Sequence, residues 1–236
     1  MLDVFHMHDT ADPVVAAANA IEAALRDALS LRGKASLMVS GGSSPKPVYE
    51  KLSQAELDWQ NVSISLVDER WVDSGEAGSN EDFIRDTLIQ NAAASAHFVG
   101  LKTPAETIQA GLSDANARLE SFKPPFDVCV MGMGSDGHTA SWFPNASGLN
   151  MALSPDNDNR LCYVNATGCA VAGEHTDRIS LTLKAVLGAR HIMLFIPGQK
   201  KRVVFDAAAE KSLFDAPVQA LTQAGSKLHV FASPAT

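Results

Sequence analysis

The sequence predicts an α/β protein: one domain of three layers, with helices on both faces of a largely parallel central sheet. Three observations lead to this prediction. Of 236 residues, 46% are hydrophobic and 19% charged, which suits a sizeable buried core. Short uninterrupted apolar runs alternate with helical segments, as expected of strands covered on both faces. No repeat, low-complexity tract or linker divides residues 1–236, so we expect a single domain with a Rossmann-like layout.

The first helix is predicted between residues 11 and 33. Asp12 can cap its first turn, Pro13 suits its first position, and Gly33 provides a stop. Between these ends, apolar residues recur on one face, at Val14, Ala18, Ile21, Leu25 and Ala28. This pattern is typical of a long amphipathic helix.

A second helix is predicted to begin at Thr103, because Thr103 and Glu106 have the spacing of a capping box. Apolar residues follow at helical intervals, at Ile108, Leu112, Ala115 and Leu119. Further helices are expected after residues 43–44, residues 79–80 and Gly198. The stretch 149–159 is the most loop-like part of the chain.

Six apolar runs are predicted to be strands of the sheet. They span residues 35–39, 62–67, 126–131, 161–164, 191–196 and 228–232. Ligands of such sheets bind beyond the carboxyl ends of the strands. The segments that follow these runs are therefore where we expect the chemistry.

Charge and composition argue against several kinds of partner. The chain has 19 Lys and Arg against 27 Asp and Glu, a net charge of −8, and no basic run, so we expect no nucleic-acid partner. Its apolar stretches are far shorter than the roughly 18 residues that span a membrane. Three cysteines without metal-ligand spacing, and an amino terminus unlike a secretion signal, favour a reducing, cytoplasmic setting.

A glycine–serine segment follows the first predicted strand of the sheet. Two glycines allow a backbone to approach an anion closely, and two hydroxyls can donate to it. The four residues that would form this phosphate cradle are Gly41, Gly42, Ser43 and Ser44. An ordinary strand-to-helix turn uses the same residue types, so both interpretations stay open. The spacing of a Walker loop is absent.

Two charged residues, Asp68 and Arg70, follow the second predicted strand of the sheet, with Glu69 between them. A carboxylate and a guanidinium at a strand end can both reach a polar substrate. A solvated pair at the mouth of a loop is the alternative.

The segment after the strand at 126–131 spells G-x-G-x-x-G at Gly132, Gly134 and Gly137, as in a dinucleotide-binding loop. Asp136 would place a negative charge against the pyrophosphate, and Pro144 would interrupt the helix that should follow. We therefore expect no dinucleotide. A glycine turn that presents Asp136 and His138 to a cleft suits proton transfer better, because a carboxylate can orient the imidazole. A structural histidine in a tight turn remains the alternative.

Basic residues cluster near the carboxyl end of the chain, at Arg178, Lys200, Lys201 and Arg202. Arginine together with lysine is a natural phosphate clamp. Some of the four are expected to be ordinary surface charges. His6 and His8 could share one face of a short strand, but two histidines make an incomplete metal site. We expect no metal.

Six segments together resemble the 6-phosphogluconolactonase family, in the family's order and over nearly the whole chain. They are SGGSSPKPVYEKL (40–52), VDERWV (67–72), GSNEDFIRDTLI (78–89), FDVCVMGMGSDGHTASWFP (126–144), RISLTL (178–183) and PGQKK (197–201). The resemblance implies hydrolysis of 6-phospho-D-glucono-1,5-lactone to 6-phosphogluconate, in the oxidative pentose phosphate pathway. Neither a cofactor nor a metal is implied, and a monomer and a small homo-oligomer remain equally open.

The resemblance also implies roles for individual residues. His138 would act as general base toward water, Asp136 would orient it, and Asp68 would bond sugar hydroxyls or the attacking water. The phosphate would be held by the amides of residues 41–44 together with Arg178 and Lys201. Arg70 would complete that clamp or stabilise the developing oxyanion.

Two other functions share this fold and compete with the lactonase. A glucosamine-6-phosphate deaminase would carry an acidic residue after the histidine, and residues 139–147 contain no carboxylate. A non-catalytic sugar-phosphate sensor usually carries a helix-turn-helix domain in addition, for which 236 residues leave no length. Both are therefore less favoured than the lactonase.

Overall fold

Two sheets organise the fold in the computed structural model, which describes residues 4–234. The strands are β1 (His6–Asp9), β2 (Ala35–Val39), β3 (Val62–Leu66), β4 (Asp68–Arg70), β5 (His97–Val99), β6 (Val128–Gly132), β7 (Leu161–Asn165), β8 (Asp177–Leu181), β9 (His191–Ile196) and β10 (Leu228–Ala232). Seven of them form one parallel sheet, and β4, β8 and β7 form a small antiparallel one. The predicted α/β class with a largely parallel sheet is confirmed.

The order of strands in the parallel sheet is β1-β10-β9-β6-β2-β3-β5. From β2 the chain runs outward through β3 to β5 and then returns to β6, which lies on the other side of β2. From β6 it runs outward in the opposite direction through β9 and β10. The strand order therefore reverses between β2 and β6. Every residue of β2 is buried, because both faces of the sheet are covered. The carboxyl ends of β2 and β6 therefore form the switch point at which such sheets bind ligands.

The helices are α1 (Pro13–Arg32), α2 (Lys46–Leu52), α3 (Asn80–Thr87), α4 (Ile108–Arg118), α5 (Leu149–Leu153), α6 (Leu183–Leu187) and α7 (Gln199–Ala208). Short 3₁₀ segments span Trp59–Asn61, Asn91–Ser95 and Leu119–Ser121, and a longer helical stretch, Pro217–Lys227, is interrupted at Gly225. The predicted first helix is confirmed at both ends. Asp12 Oδ1 accepts the Val15 N–H at 3.0 Å, and Gly33 closes the last turn in the left-handed region at φ 67°.

The predicted capping box at Thr103 is wrong, because α4 begins at Ile108 and Thr107 caps it. The Thr107 hydroxyl accepts the Ala110 N–H at 3.3 Å. Thr103 is 2% exposed, and its hydroxyl accepts the Ala105 N–H at 3.4 Å within a local turn. A hydroxyl held in that turn is not available to cap a helix that starts five residues later.

The prediction that residues 161–164 join the parallel sheet is also wrong. They form β7, which pairs antiparallel with β8 in the small sheet. Only residues 166–176 connect the two strands, and a connection of this length makes a hairpin, whereas parallel neighbours need a longer crossover. Residues 161–164 are mostly apolar because they are largely buried. Burial alone does not show which of the two sheets a strand joins.

The stretch 149–159 is only partly the predicted loop. Its first five residues form α5, because Leu149, Ala152 and Leu153 pack their side chains into the core. The remaining residues are irregular apart from turns. Residues 149–159 thus pack against the core through one short helix before the chain enters β7.

Candidate active site

A cleft of about 240 Å³ opens beyond the carboxyl ends of β2 and β6. Nine of the ten residues singled out from the sequence line it: Gly41, Gly42, Ser43, Ser44, Asp68, Arg70, His138, Arg178 and Lys201. The tenth, Asp136, contacts His138. The fold thus brings together side chains from five separate segments of the chain.

At one end of the cleft, residues 40–45 turn between β2 and α2. Gly42 has a φ of 97°, in the left-handed region that favours glycine. Lys201, near the start of α7, donates from Nζ to Ser44 Oγ at 2.9 Å. Burial lowers the pKa of Lys201. A hydroxyl, a lysine and glycine backbone amides therefore meet at this end, as an anion site needs.

The neighbours of Lys201 on α7 do not share its position. Arg202 pairs with Asp206 at 2.9 Å and also with Asp9 of β1, and Lys200 is exposed. Of these three consecutive basic residues, only Lys201 lines the cleft. Lys201 is therefore a candidate for ligand binding, whereas Lys200 and Arg202 are surface residues outside the cleft.

His138, which also lines the cleft, forms a close pair with Asp136. His138 Nδ1 lies 2.6 Å from Asp136 Oδ1, and the His138 main-chain N–H donates to the same oxygen at 3.1 Å. Burial acts to raise the pKa of Asp136, but the hydrogen bonds and charge of His138 outweigh it and lower the pKa. Asp136 Oδ1 is thus placed to accept a hydrogen bond from the Nδ1–H tautomer of His138, in which Nε2 is the free acceptor of the ring.

The glycines of this segment serve the His138–Asp136 pair. A Cβ at Gly134 would lie 2.2 Å from His138 Nδ1 and 2.8 Å from Asp136 Oδ1, so only glycine leaves room for the pair. The next helix, α5, begins only at Leu149 and has five residues, whereas a dinucleotide loop leads directly into a long helix. The segment is therefore a turn that holds the His138–Asp136 pair.

Strand β4 explains why Asp68 and Arg70 line the cleft and Glu69 does not, since alternate side chains leave a strand on opposite faces. Glu69 is 1% exposed, and it accepts the N–H groups of Arg70, Asn80 and Glu81, each at 2.8 Å. Burial raises the pKa of Glu69 to about 7, although these three bonds oppose the shift. Glu69 thus fastens the first turn of α3 to β4.

Two residues with no assigned role in the sequence analysis hold Asp68 in place. Ser141 is fully buried and donates its hydroxyl to Asp68 Oδ2 at 2.6 Å. Asn80 donates from Nδ2 to the Asp68 main-chain oxygen at 2.9 Å, and its Oδ1 accepts from Arg70 Nη1. Both lie in segments that carry the family resemblance, but nothing in their spacing showed that they meet Asp68.

Arg178 stands directly across from Arg70 in the small sheet, where their Cα atoms are partners in the β4–β8 register. It is 3% exposed, and it donates to the main-chain oxygens of His175 at 2.7 Å and Ala172 at 2.6 Å. Burial is the largest influence on its pKa, which is lowered; the Arg70 charge adds to this, and Asp68 opposes it. The guanidinium is fixed rather than mobile.

No group of three or more His, Cys, Asp and Glu side chains within residues 4–234 could hold a metal ion. His8 of β1 bonds His229 of β10 instead, with 3.1 Å between His8 Nε2 and His229 Nδ1. Cys129, Cys162 and Cys169 are free thiols. Across the described part of the chain, no helix is long and apolar enough to cross a membrane.

Comparison with known proteins agrees with this geometry. The sequence pattern described as "Glucosamine-6-phosphate isomerases/6-phosphogluconolactonase" matches residues 8–230. A 6-phosphogluconolactonase of Rhizobium meliloti is 40% identical over 221 residues, 93% of each chain. Another, of Pseudomonas aeruginosa, is 38% identical over 87% of this chain and 84% of its own.

Solved structures extend the likeness to three dimensions. The crystal structure of a 6-phosphogluconolactonase from Shewanella baltica is 39% identical, with a TM-score of 0.89 over 98% of each chain. A monomeric glucosamine-6-phosphate deaminase, 19% identical over 98% of this chain and 97% of its own, has a TM-score of 0.78 and shares the fold. The chain therefore belongs to the glucosamine-6-phosphate isomerase/6-phosphogluconolactonase family.

Proposed function

We propose that the protein hydrolyses 6-phospho-D-glucono-1,5-lactone to 6-phospho-D-gluconate, a step of the oxidative pentose phosphate pathway. The observation that supports this most directly is the pairing of two sites in one cleft. The cleft contains an imidazole beside a carboxylate, and it also contains a lysine amine bonded to a hydroxyl of the glycine–serine turn. Relatives at about 40% identity named as lactonases favour this substrate over that of the more distant deaminase.

The reacting end requires one base and one water molecule. His138 Nε2 takes a proton from water as the water oxygen bonds to the lactone carbonyl carbon. When the tetrahedral intermediate collapses, the bond to the ring oxygen breaks, and the imidazolium returns the proton to that oxygen. Asp136 holds the tautomer throughout. General acid–base help of this kind accelerates a reaction by roughly 10²–10⁴-fold.

Asp68 supplies a second polar group to the reacting end. Its Oδ2 is occupied by the Ser141 hydroxyl at 2.6 Å, whereas its Oδ1 accepts no protein hydrogen bond within residues 4–234. The free oxygen can accept a bond from a sugar hydroxyl or from the attacking water. We assign Asp68 to positioning of the substrate, with His138 as the base.

The amides of Gly41, Gly42, Ser43 and Ser44, together with Lys201, would hold the phosphate. Arg70 lies near this turn, because its guanidinium bonds Asn80 and the Asn80 amide packs closely against Gly41. Charge-assisted bonds of this kind act on the substrate in the ground state and in the transition state alike.

A coupled assay tests the proposed reaction. Glucose-6-phosphate dehydrogenase generates the lactone, and the disappearance of the lactone is followed with and without the protein. We expect faster disappearance with the wild-type protein than with His138→Ala. An unchanged rate would refute the lactonase, and release of ammonia from glucosamine 6-phosphate would establish the deaminase instead.

Substitution of Lys201 tests the phosphate end separately from the chemistry. We expect Lys201→Met to raise KM by about tenfold or more with a much smaller effect on kcat, because it removes one charge-assisted bond to the phosphate. Lys200→Met, the exposed neighbour, is the matched control and should leave KM unchanged. Steady-state kinetics on both variants decide the assignment, and an unaltered KM in Lys201→Met would contradict it.

The reaction is expected to need no metal ion, because a histidine base and water suffice for a carboxylic ester. Prolonged treatment with EDTA should leave the coupled-assay rate unchanged. A loss of activity that Zn²⁺ or Mg²⁺ restores would show that a metal takes part.

We infer a cytoplasmic site of action, which the three free thiols support, since cysteines stay reduced there. The substrate is then the only partner that this cleft requires. The net charge of −8 argues against a nucleic-acid partner.

A further inference from the structure

We propose that the two arginines of the cleft have different roles: Arg178 stabilises the oxyanion of the reacting lactone, and Arg70 serves the phosphate. This rests on the proposed function and changes the expectation from the family resemblance, which placed Arg178 with the phosphate. The Cα atoms of the two arginines are partners across β4 and β8, so their position in the sheet does not distinguish their roles. Their side-chain contacts do.

Arg178 lies next to the base through a shared aromatic ring. The His138 ring packs on Phe143 with 4.4 Å between ring centroids. The Arg178 guanidinium carbon lies 5.4 Å from the centroid of the same ring. Phe143 is 2% exposed, so the ring is held by its surroundings, and both groups pack on it. The guanidinium thus lies near His138.

The guanidinium of Arg178 is also preorganised as a donor. Nε and Nη2 are held by the His175 and Ala172 main-chain oxygens, whereas Nη1 has no protein acceptor within residues 4–234. Since Arg178 also lines the cleft, its unbonded N–H groups are available to a ligand. A fixed donor in a site of low exposure stabilises developing charge without reorganising during the reaction.

The contacts of Arg70 lead instead to the turn at residues 41–44. The Nη1 of Arg70 donates to Asn80 Oδ1, and the Asn80 side-chain amide lies against the turn at residues 41–44. A Cβ at Gly41 would be only 1.9 Å from Asn80 Oδ1, which shows how closely the amide and the turn approach. Arg70 is therefore positioned beside the residues that would hold the phosphate, and Asn80 is its positioning residue.

The chemistry gives the Arg178 guanidinium a defined task. Attack by water converts the carbonyl oxygen into an alkoxide in the tetrahedral intermediate, while His138 holds the proton of the water. The N–H groups of Arg178 donate to that alkoxide. As the carbonyl re-forms, the electron pair leaves with the ring oxygen, which receives the proton from His138. Arg178 keeps its own protons throughout.

Two substrates separate the two roles: the phosphorylated lactone and glucono-1,5-lactone, which lacks the phosphate. We expect Arg178→Met to lower kcat on both substrates by the same factor, about 10²–10³-fold, the usual cost of one oxyanion donor. Lys201→Met, the control at the phosphate end, should lower kcat/KM of the phosphorylated lactone far more than that of the unphosphorylated one. Arg70→Met should resemble Lys201→Met.

Inhibition by inorganic phosphate provides a second measurement that needs no turnover of the unphosphorylated lactone. Its inhibition constant should change less than about threefold in Arg178→Met and rise about tenfold or more in Lys201→Met. If Arg178→Met does not fold, Arg178→Lys preserves the charge, and it should show reduced kcat with unchanged phosphate inhibition.

Three results would overturn the inference: a weakened phosphate inhibition in the Arg178 variants, a loss confined to the phosphorylated lactone, or full kcat in a folded variant. Failure of the proposed function would look different. In that case the wild-type protein itself would not hydrolyse the phosphorylated lactone, whereas calorimetric binding of inorganic phosphate to each variant would still report which arginine serves the anion.

Discussion

Replacement of His138 by alanine is expected to lower kcat by about two orders of magnitude or more. The variant should remain folded and should still bind 6-phosphogluconate, because the residues that would hold the phosphate, at 41–44 and Lys201, are unchanged. His138→Gln should be equally impaired, since an amide keeps approximate size and polarity but does not accept the proton. Steady-state kinetics, thermal unfolding and calorimetry with 6-phosphogluconate together measure these outcomes.

The same base predicts the response to pH. The kcat/KM of the wild-type protein should fall on acidification, as an imidazole becomes charged and loses its acceptor. That acid limb should be absent from the residual activity of His138→Ala. Asp136→Asn should reduce kcat less than loss of the histidine, because it disturbs the tautomer and orientation rather than removing the base.

A purely structural His138 would give the reverse pattern. The alanine variant would then melt at a lower temperature while kcat stayed nearly intact. Asp68 would become the next candidate base, because it lines the cleft and its Oδ1 accepts no hydrogen bond within residues 4–234. The deaminase would also return as an alternative function.

Substitution of Gly134 by alanine is expected to reduce kcat by about 10²-fold although it removes no polar group. The added Cβ would lie 2.1 Å from His138 Cε1 and 2.8 Å from Asp136 Oδ1. The imidazole has to move, and a displacement of about 1 Å of a catalytic group costs roughly this factor. Inhibition by inorganic phosphate should be unchanged, because the glycine turn at residues 41–44 is unaffected.

Gly188→Ala is the matched control for this glycine. Gly188 ends α6 with helical angles, φ −67° and ψ −22°, which alanine adopts readily. Its kcat should equal that of the wild-type protein. An active Gly134→Ala variant would show that the His138–Asp136 pair tolerates displacement, and would weaken the assignment of His138 as the base.

The strongest predictions from sequence concerned features that are local in the chain. Asp12, Pro13 and Gly33 bound the first helix as expected, because capping and turn geometry depend on a few adjacent residues. Most apolar runs became strands of the parallel sheet for a similar reason. The pairing of Asp136 with His138 was also within reach of sequence, since a turn of two residues brings them together.

Predictions failed where a local sequence pattern was compatible with two structures. Thr103 and Thr107 each precede an apolar position, and the burial of Thr103 in a local turn decided which of them caps α4. Residues 161–164 have the apolar pattern of the parallel strands, and the short connection to β8 placed them in the small sheet. Neither outcome is encoded by hydrophobic periodicity.

By itself, the sequence predicted the α/β class and the family, which are confirmed, and it named candidate residues at the strand ends. Only the tertiary structure decided how these residues are arranged. It chose Lys201 over Lys200 and Arg202, brought Asn80 and Ser141 to Asp68, and placed Arg178 on the ring that carries His138. The physical reason is that capping, turns and burial act between near neighbours in sequence. The direction of a side chain in a cleft instead depends on contacts between segments that only the folded sheet brings together.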